Sequence, residues 1–257
     1  RAMLSSLCRR SLRRSSSSSP YVKDYVYAKS KDDRVEITED WVKSTKRTFT
    51  RKSAFAGAAS DSEGCDLINP EGIVPEIAFS GRSNVGKSSL LNALVGSGTM
   101  ARVSGKPGHT RGVNFFALGS NEAFLVDLPG YGFAKVGSKK DRKVVEDRAI
   151  GYAVGRDRNV LRKVFVLIDS RRGLMPIDRE VLKQFDKYGT DATLVLTKVD
   201  TLKSETELRR VLNSVGSELE NFTCLDAYVH FISVHKNLGI ESLRMSIARA
   251  VDPLLGG

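Results

Sequence analysis

The chain has 257 residues, 40% of them hydrophobic, which is enough for one well-packed domain with extensions. No apolar run approaches the roughly 20 residues of a membrane-spanning helix, and three widely spaced cysteines indicate neither a disulfide framework nor a zinc site. The net charge of +11 favours a polyanionic partner, most often nucleic acid, and no membrane partner is predicted.

The N-terminal part of the chain differs in composition from the rest. Residues 1–20 contain five arginines and a serine run but no acidic residue, which is typical of an organellar transit peptide, with a basic arm that contacts RNA as the alternative. Residues 21–72 are predicted to be an N-terminal extension, of which 56–72 form a linker rich in Gly, Ser and Ala. A basic group interleaved with aromatic residues predicts either an RNA contact or an amphipathic helix docked on the domain: Lys43, Lys46, Arg47, Arg51 and Lys52.

From residue 73 to residue 257 apolar runs alternate with helical patterns, which predicts one α/β domain. The predicted strands are 76–80, 113–118, 123–127, 163–169, 192–197 and 228–232. The predicted helices are 87–96, 139–154, 177–188, 204–220 and 239–252. We therefore expect three layers built on a six-stranded, mostly parallel sheet with about five helices, and ligands of such sheets bind at the carboxyl ends of the strands.

Residues 81–89 follow the first predicted strand and precede a helix, and we call them the phosphate loop. Gly81, Gly86, Lys87 and Ser88 occupy the four fixed positions of a P-loop. Glycines let backbone N–H groups turn toward phosphates, and the helix N-terminus adds partial positive charge. Lys87 is predicted to neutralise the β- and γ-phosphates, and the Ser88 hydroxyl to bind Mg2+. The predicted fold is therefore that of P-loop NTPases.

Asp127-Leu128-Pro129-Gly130 ends the third predicted strand, downstream of the phosphate loop. Asp127 is predicted to support Mg2+ through water, and the Gly130 N–H to bond the γ-phosphate. In the Gly-rich segment 104–112, Thr110 precedes a strand and is the predicted second Mg2+ ligand, with Thr99 as the fallback.

Two loops after later strands predict a preference for guanine. In Thr197-Lys198-Val199-Asp200 the Asp200 carboxylate can accept hydrogen bonds from the guanine N1–H and exocyclic amine, a donor pair that adenine lacks. The Lys198 stem can lie across the base plane. Ser233-Val234-His235 follows the last predicted strand, where backbone N–H groups can reach the guanine O6. The three histidines are interpreted as side chains without a catalytic role: His109, His230 and His235.

These motifs together resemble the translation-factor-related class of P-loop GTPases and, within it, the EngB (YihA/YsxC) family. The likeness rests on the phosphate loop, on Lys106-Pro107-Gly108-His109-Thr110, on Asn114-Phe115-Phe116, and on Asp-Leu-Pro-Gly-Tyr-Gly-Phe-Ala at 127–134. It runs from about residue 75 to the C-terminus. It implies a GTPase that assists assembly of the large ribosomal subunit, with Mg2+ as cofactor and GTP, GDP and large-subunit rRNA as partners. The protein is expected to be a monomer off the ribosome.

The resemblance also implies roles for individual residues. The residues implied in nucleotide binding are Gly81, Arg82, Ser83, Asn84, Val85, Gly86, Lys87, Ser88, Ser89, Gly108, His109, Thr110, Asp127, Leu128, Pro129, Gly130, Thr197, Lys198, Asp200, Ile232, Ser233 and Val234. Those implied in binding Mg2+ are Ser88, Thr110 and Asp127. Val234 replaces a usual Ala or Ser, and Arg111 stands where an amide side chain is common. The long N-terminal extension implies an organellar version, in the mitochondrial matrix or, alternatively, in a plastid.

Position 131 bears on the rate of hydrolysis. Some GTPases place a Gln there to orient the attacking water, but the aromatic Tyr131 cannot polarise water in that way, so slow intrinsic hydrolysis is expected. Asn84 is predicted to bind K+, as an Asn does in related GTPases, or else only to brace the loop. The predicted catalytic groups are Lys87, Asn84, Thr110 and Gly130.

Three functions compete on this sequence. The favoured one is a GTP-driven switch in ribosome assembly, in which the basic segment 135–143 is presented to rRNA. The second is a GTP-stabilised rRNA-binding module with negligible turnover. The third is a tRNA-modification GTPase, which usually carries a dedicated partner-binding domain that this sequence does not predict.

Overall fold

The computed structural model describes residues 26–28, 38–96, 112–132, 139–252 and 254, and these form one eight-stranded sheet flanked by helices. The strands are β1 (Val26–Ala28), β2 (Ala54–Ala59), β3 (Glu76–Gly81), β4 (Val113–Leu118), β5 (Ala123–Asp127), β6 (Leu161–Asp169), β7 (Ala192–Thr197) and β8 (Leu225–Phe231). The α-helices are α1 (Glu39–Thr50), α2 (Ser62–Ile68), α3 (Lys87–Leu94), α4 (Lys139–Gly155), α5 (Pro176–Tyr188), α6 (Glu205–Asn221) and α7 (Ile240–Val251).

The central strands of the sheet are parallel. Their spatial order is β1-β8-β7-β6-β3-β5-β4-β2, and β8, β7, β6, β3 and β5 pair in parallel. Antiparallel pairs lie only toward the two edges of this sheet, where β4 joins β5, β2 joins β4 and β1 joins β8. The five parallel strands therefore all finish at the same end of the sheet, which we call the carboxyl edge, and the predicted motifs begin there.

Helices cover both faces of the sheet, and the strands alternate between them. In β3, Ile77 and Phe79 pack in the apolar layer that contains α3 and α7, whereas Ala78 packs in the layer with α4, α5 and α6. This alternation is the period of two expected of a strand buried on both faces. The three-layer P-loop NTPase fold predicted from the sequence is thereby confirmed.

The predicted six strands and five helices are all present, but the counts are too low. Two additional strands, β1 and β2, and two additional helices, α1 and α2, come from residues before 73. Helix α1 matches one of the two alternatives stated for the basic group, whereas β1, β2 and α2 were not predicted, because they are short, β2 consists mostly of small residues, and pairing with the edges of the sheet decides the strand conformation.

Helix α1 contains most of the basic group at residues 43–52, for which the sequence predicted either an RNA contact or a docked amphipathic helix. Its N-terminus is capped by Thr38, and Trp41, Thr45 and Thr48 are buried. The Trp41 Nε1–H donates to the backbone oxygen of Met245 in α7 at 2.7 Å. The segment is therefore an amphipathic helix docked on the domain, and contact with RNA stays a prediction.

The interpretation of residues 56–72 as a linker is wrong. Strand β2 pairs antiparallel with β4, and α2 follows it with an N-terminal cap in which Asp61 Oδ1 accepts from the Gly64 N–H at 2.9 Å. The small residues that suggested a linker permit close packing, since a Cβ added at Gly57 would lie 3.0 Å from Ile68 Cδ1 and one added at Gly64 would lie 3.1 Å from the Ala59 Cβ. The domain divisions after residues 20 and 72 stay predictions.

Several predictions fall outside the described residues. They are the transit peptide, the segment 104–111, the end of the 127–134 motif, and the single residues Thr99, Gly108, His109, Thr110 and Arg111. Among the helices that are described, none combines the length and apolar character needed to cross a membrane.

Candidate functional site

The phosphate loop connects β3 to α3 at the carboxyl edge of the sheet. Helix α3 begins at Lys87, and its N-cap is Gly86 in a left-handed conformation (φ 105°) without a side-chain cap. The N–H groups of the first helical turn have no intrahelical acceptor, and no side chain replaces one. This helix end is therefore suited to an anion, as the sequence predicted.

The phosphate loop is hydrogen-bonded to the last residue of β7, Thr197, and to the residue that follows it, Lys198. The Thr197 hydroxyl donates to the Val85 oxygen at 2.7 Å, and the Lys198 ammonium donates to the Asn84 oxygen at 2.7 Å. Asn84 itself is exposed and adopts a left-handed conformation (φ 63°). These bonds engage two loop carbonyls and fix the loop relative to β7. The Val85 N–H donates within the loop, to the Arg82 oxygen at 3.2 Å.

Lys87 and Asp127 form a buried ion pair. Asp127 ends β5, beside Phe79 of the neighbouring parallel strand β3, so the register brings it to the base of the phosphate loop. Lys87 is 8% exposed and Asp127 2%. The structure thus places together two residues that the sequence assigned to the same site from separate motifs.

Gly130 lies directly against the phosphate loop. A Cβ added there would be 3.0 Å from Ser83 Oγ and 3.2 Å from both Ser83 Cα and the Ser83 nitrogen. The Ser83 N–H donates to the Tyr131 oxygen at 3.2 Å, and the Tyr131 N–H donates to the Gly81 oxygen at 3.3 Å. The Tyr131 backbone is therefore hydrogen-bonded to the loop, and Gly130 packs against it.

The Tyr131 side chain points into the core instead of toward the loop. The ring is 1% exposed, and its hydroxyl donates to Asp178 Oδ1 at 3.0 Å. Asp178, at the start of α5, also forms an ion pair with Arg82 of the phosphate loop at 3.2 Å and accepts from the Met175 N–H at 2.8 Å. Burial raises the pKa of Asp178 and outweighs the lowering by these partners. The sequence did not identify this carboxylate, because its role depends on contacts between distant segments.

The two loops assigned to the base lie side by side. The Ile232 N–H donates to the Leu196 oxygen at 2.7 Å, and the Val199 N–H donates to the Ile232 oxygen at 3.2 Å. Asp200 is half-buried, while Val234 is exposed. Ser233 is fully buried, and its hydroxyl accepts from the Lys236 N–H at 3.0 Å, which shapes the turn after β8.

A carboxylate that no motif predicted, Asp169, completes this side of the site. It ends β6 opposite Thr197 of β7. Burial opposes its ionisation, but hydrogen bonds from Arg171 and Lys198 lower the pKa of Asp169 to about 2. The sequence could have indicated Asp169 by its position, because it is the last residue of the predicted strand 163–169 and ligand-binding residues of such sheets lie at strand ends.

The donor atoms at the carboxyl edge suit a small hard cation. Ser88 is half-buried at the start of α3 and follows Lys87, the partner of Asp127, so hydroxyl and carboxylate oxygens are present in this region for Mg2+. Within the described residues no group of three or more His, Cys, Asp or Glu side chains forms a metal cluster. A Mg2+ site here accordingly needs oxygens from a ligand or water, as is usual for this ion.

The two described histidines differ in their surroundings. His230 is buried in β8 between Ser242 and Ser246, with 2.9 Å between its Nε2 and Ser246 Oγ. Burial lowers the pKa of His230 to about 4. His235 is an exposed residue of the turn after β8.

Comparison with known proteins supports the same interpretation of the chain. Residues 76–198 match the family model described as 50S ribosome-binding GTPase, and residues 154–253 match that of the elongation factor Tu GTP-binding domain. A probable GTP-binding protein EngB from Caulobacter vibrioides is 38% identical over 214 residues, covering 83% of this chain and 90% of the relative. One from Cereibacter sphaeroides is 42% identical over 176 residues, covering 67% and 77%. The crystal structure of a probable EngB, 23% identical, superimposes with a TM-score of 0.54 over 69% of this chain and 99% of that one.

The fold, the loop geometry and these likenesses define a GTPase of the P-loop class. Such enzymes hydrolyse GTP, and members of this group generally use Mg2+. The chain belongs to the EngB family of GTP-binding proteins, which confirms the resemblance inferred from its motifs.

Proposed function

We propose that this GTPase is a nucleotide switch in assembly of the large ribosomal subunit, and that one nucleotide state binds large-subunit rRNA. The observation that carries the proposal is the match of residues 76–198 to the 50S ribosome-binding GTPase model. The net charge of +11 favours a polyanionic partner. Era, a GTPase of similar fold at 23% identity and a TM-score of 0.53, has been crystallised with MgGDPNP and 16S rRNA nucleotides.

In the proposed complex the nucleotide phosphates lie at the start of α3. Residues 84–89 supply N–H groups, and Lys87 exchanges its contact with Asp127 for the β- and γ-phosphates. Ser88 and Thr110 bind Mg2+, Asp127 supports it through water, and the Gly130 N–H faces the γ-phosphate. Asp200 selects guanine, Lys198 lies over the base, and residues 232–234 close around it. The buried pairing of Lys87 with Asp127 supports this arrangement, since it brings the end of β5 to the first residue of α3.

Calorimetry with purified protein in Mg2+ buffer tests the nucleotide site. GDP is expected to bind and ADP to bind at least about a hundredfold more weakly, because adenine cannot supply the two donors that Asp200 accepts. Equal affinity for the two nucleotides would contradict the assignment of the base loops.

We infer slow intrinsic hydrolysis that K+ stimulates. Tyr131 is buried with its hydroxyl bonded to Asp178, so it is not placed to orient a water at the phosphate loop. Asn84 is exposed on the loop and is the proposed K+ ligand. Single-turnover hydrolysis in K+ should exceed that in Na+ at equal ionic strength. Replacing Asn84 by Ala should abolish the difference, and equal rates in both salts for the wild type would reject the role of K+.

The ribosomal role is tested by purifying the protein with a slowly hydrolysed GTP analogue or with GDP and sequencing the bound RNA. Large-subunit rRNA enriched in the GTP-analogue sample is expected. Charge reversal at Lys139, Lys140 and Lys143 should remove this enrichment if segment 135–143 contacts rRNA. Recovery of tRNA instead would favour a tRNA-modification GTPase, and binding without single turnover would favour a binding module.

We propose that the protein acts in the mitochondrial matrix. The support is the arginine- and serine-rich composition of residues 1–20, which lack any acidic residue. A fluorescent protein fused after residues 1–63 should be imported by isolated mitochondria in a potential-dependent way. Import by plastids alone would move the proposal to that organelle.

A further inference from the structure

Asp169 lies where it can act on the base-binding loop. The register of β6 and β7 sets Asp169 opposite Thr197, one residue before Lys198. The Lys198 ammonium donates to Asp169 Oδ2 at 3.0 Å and to the Asn84 oxygen at 2.7 Å. One ammonium thus joins the end of β6, the loop after β7 and the phosphate loop.

The Lys198 side chain is constrained at its backbone and at its ammonium end. Its backbone is left-handed (φ 58°), and its Cε is the atom nearest to the empty Cβ position of Gly86, at 3.8 Å. The apolar stem therefore crosses the phosphate loop before the ammonium reaches its two acceptors. A free lysine stem would rotate among many rotamers, so the acceptors decide which surface it presents.

Asp169 is itself a rigid acceptor. The Arg171 guanidinium binds it in a bidentate manner, at 2.9 Å to Oδ1 and 2.6 Å to Oδ2, and the Arg171 N–H donates to Oδ1 at 3.1 Å. The Asp169 side chain is 7% exposed. Its carboxylate therefore has one orientation, with Oδ2 directed toward Lys198.

We propose that Asp169 is a positioning residue for guanine nucleotides: it holds the Lys198 ammonium so that the stem forms a fixed apolar surface for the purine ring. The inference rests on the proposed nucleotide site. It extends base recognition from the loops after β7 and β8 to the end of β6, through a residue that does not itself touch the nucleotide.

The test is calorimetry of GDP binding to the full chain in four variants. Asp169→Asn should weaken binding about tenfold, because the amide is a poorer acceptor for an ammonium. Lys198→Met should weaken it at least as much. In the double variant the Asp169→Asn change should add less than about twofold, because its target is gone. Asp226→Asn is the matched control: Asp226 also accepts from a lysine, Lys163, at 3.0 Å, but at the opposite edge of the sheet, so GDP affinity should not change.

The outcomes separate the possible failures. GDP affinity of Asp169→Asn within about twofold of the wild type overturns the inference, as does an undiminished effect in the Lys198→Met background, which would indicate a general structural role. If Asp169→Asn fails to fold, Asp169→Glu keeps the charge and should bind GDP more tightly than Asp169→Ala; equal weakening in both overturns the inference. A wild-type protein that binds no GDP would reject the proposed function as well.

Discussion

At the scale of single residues, close backbone contacts and buried groups decide what each position tolerates. Gly130 illustrates this, because Ser83 of the phosphate loop lies only 3.0–3.2 Å from the position where a side chain would begin. Tyr131 adds a bond on each side of the same contact. The peptide N–H proposed to face the γ-phosphate is therefore placed by packing and not by the tetrapeptide alone.

Replacing Gly130 by Ala should lower single-turnover GTP hydrolysis at least about tenfold, since a new Cβ about 3 Å from Ser83 must displace the Gly130 N–H from the γ-phosphate. GDP affinity should stay within about threefold, because GDP lacks that phosphate. Gly151→Ala is the control: Gly151 lies in helix α4 with nothing within 4 Å of its Cβ position, so activity should be unchanged and stability should rise by about 0.5–1 kcal/mol. Normal hydrolysis by the Gly130 variant would contradict the placement.

His230 should make stability depend on pH. Burial lowers its pKa to about 4, whereas in the unfolded chain it is about 6.5, so between these values the unfolded state binds more protons. Stability is therefore full above about pH 6.5 and falls as the pH drops toward 4, by on the order of 3 kcal/mol. Urea denaturation at about pH 7 and pH 5 should show this loss in the wild type and in His235→Gln, but a smaller loss in His230→Gln. Identical pH slopes in the three proteins would refute it.

At the scale of elements, α1 shows how a polar N-terminal segment becomes part of the domain. Its buried face consists of Trp41, Thr45 and Thr48, and the indole N–H reaches across to α7. The Arg249 guanidinium lies 5.7 Å from the Trp41 ring centroid, a cation–π contact that orders the same interface. The helix is thus held by these specific contacts together with the apolar packing of Trp41, Val42 and Phe49.

Trp41→Phe should destabilise the protein by about 1–2 kcal/mol, because the hydrogen bond from the indole to the Met245 oxygen and part of the buried ring volume are lost. Lys43→Ala serves as the control on the same helix, since its ion pairs with Glu39 and Asp40 are exposed, and it should change stability by less than about 0.5 kcal/mol. Urea denaturation followed by circular dichroism measures both. A Trp41→Phe midpoint equal to that of the wild type would show that α1 contributes little to the fold.

At the scale of the whole molecule, the two ends of the parallel strands have different roles. At the carboxyl edge lie the phosphate loop and the two loops assigned to the base. At the other edge, the fully buried Glu76 at the start of β3 accepts from Asn69 at 2.8 Å and from Arg156 at 2.7 and 2.9 Å. Arg156 follows α4 and also pairs with Asp66 of α2, so this network joins the N-terminal extension to the core. Stability and nucleotide binding should therefore be separable.

Glu76→Gln should destabilise the fold by about 3–5 kcal/mol, because the half-buried Arg156 loses its fully buried counter-charge. The affinity of the folded protein for GDP should stay within about threefold, since the change lies at the opposite edge of the sheet. Glu180→Gln is the control, because its pair with Lys183 is exposed and should contribute less than about 0.5 kcal/mol. Thermal denaturation and calorimetry together measure both effects. A proportionate loss of GDP affinity would show that the two edges are coupled.

The sequence alone determined the parts of this protein whose chemistry is local. The alternation of strands and helices predicted the three-layer fold, and glycine positions, a lysine and a hydroxyl at fixed spacing predicted the phosphate loop, because loop conformation depends on neighbouring residues. Tertiary structure alone decided which distant residues meet. The partners of Lys198, Tyr131 and Trp41 lie 29, 47 and 204 residues away, at Asp169, Asp178 and Met245. Strand β2 likewise forms because the edge of β4 offers it hydrogen bonds, which no local pattern of small residues records.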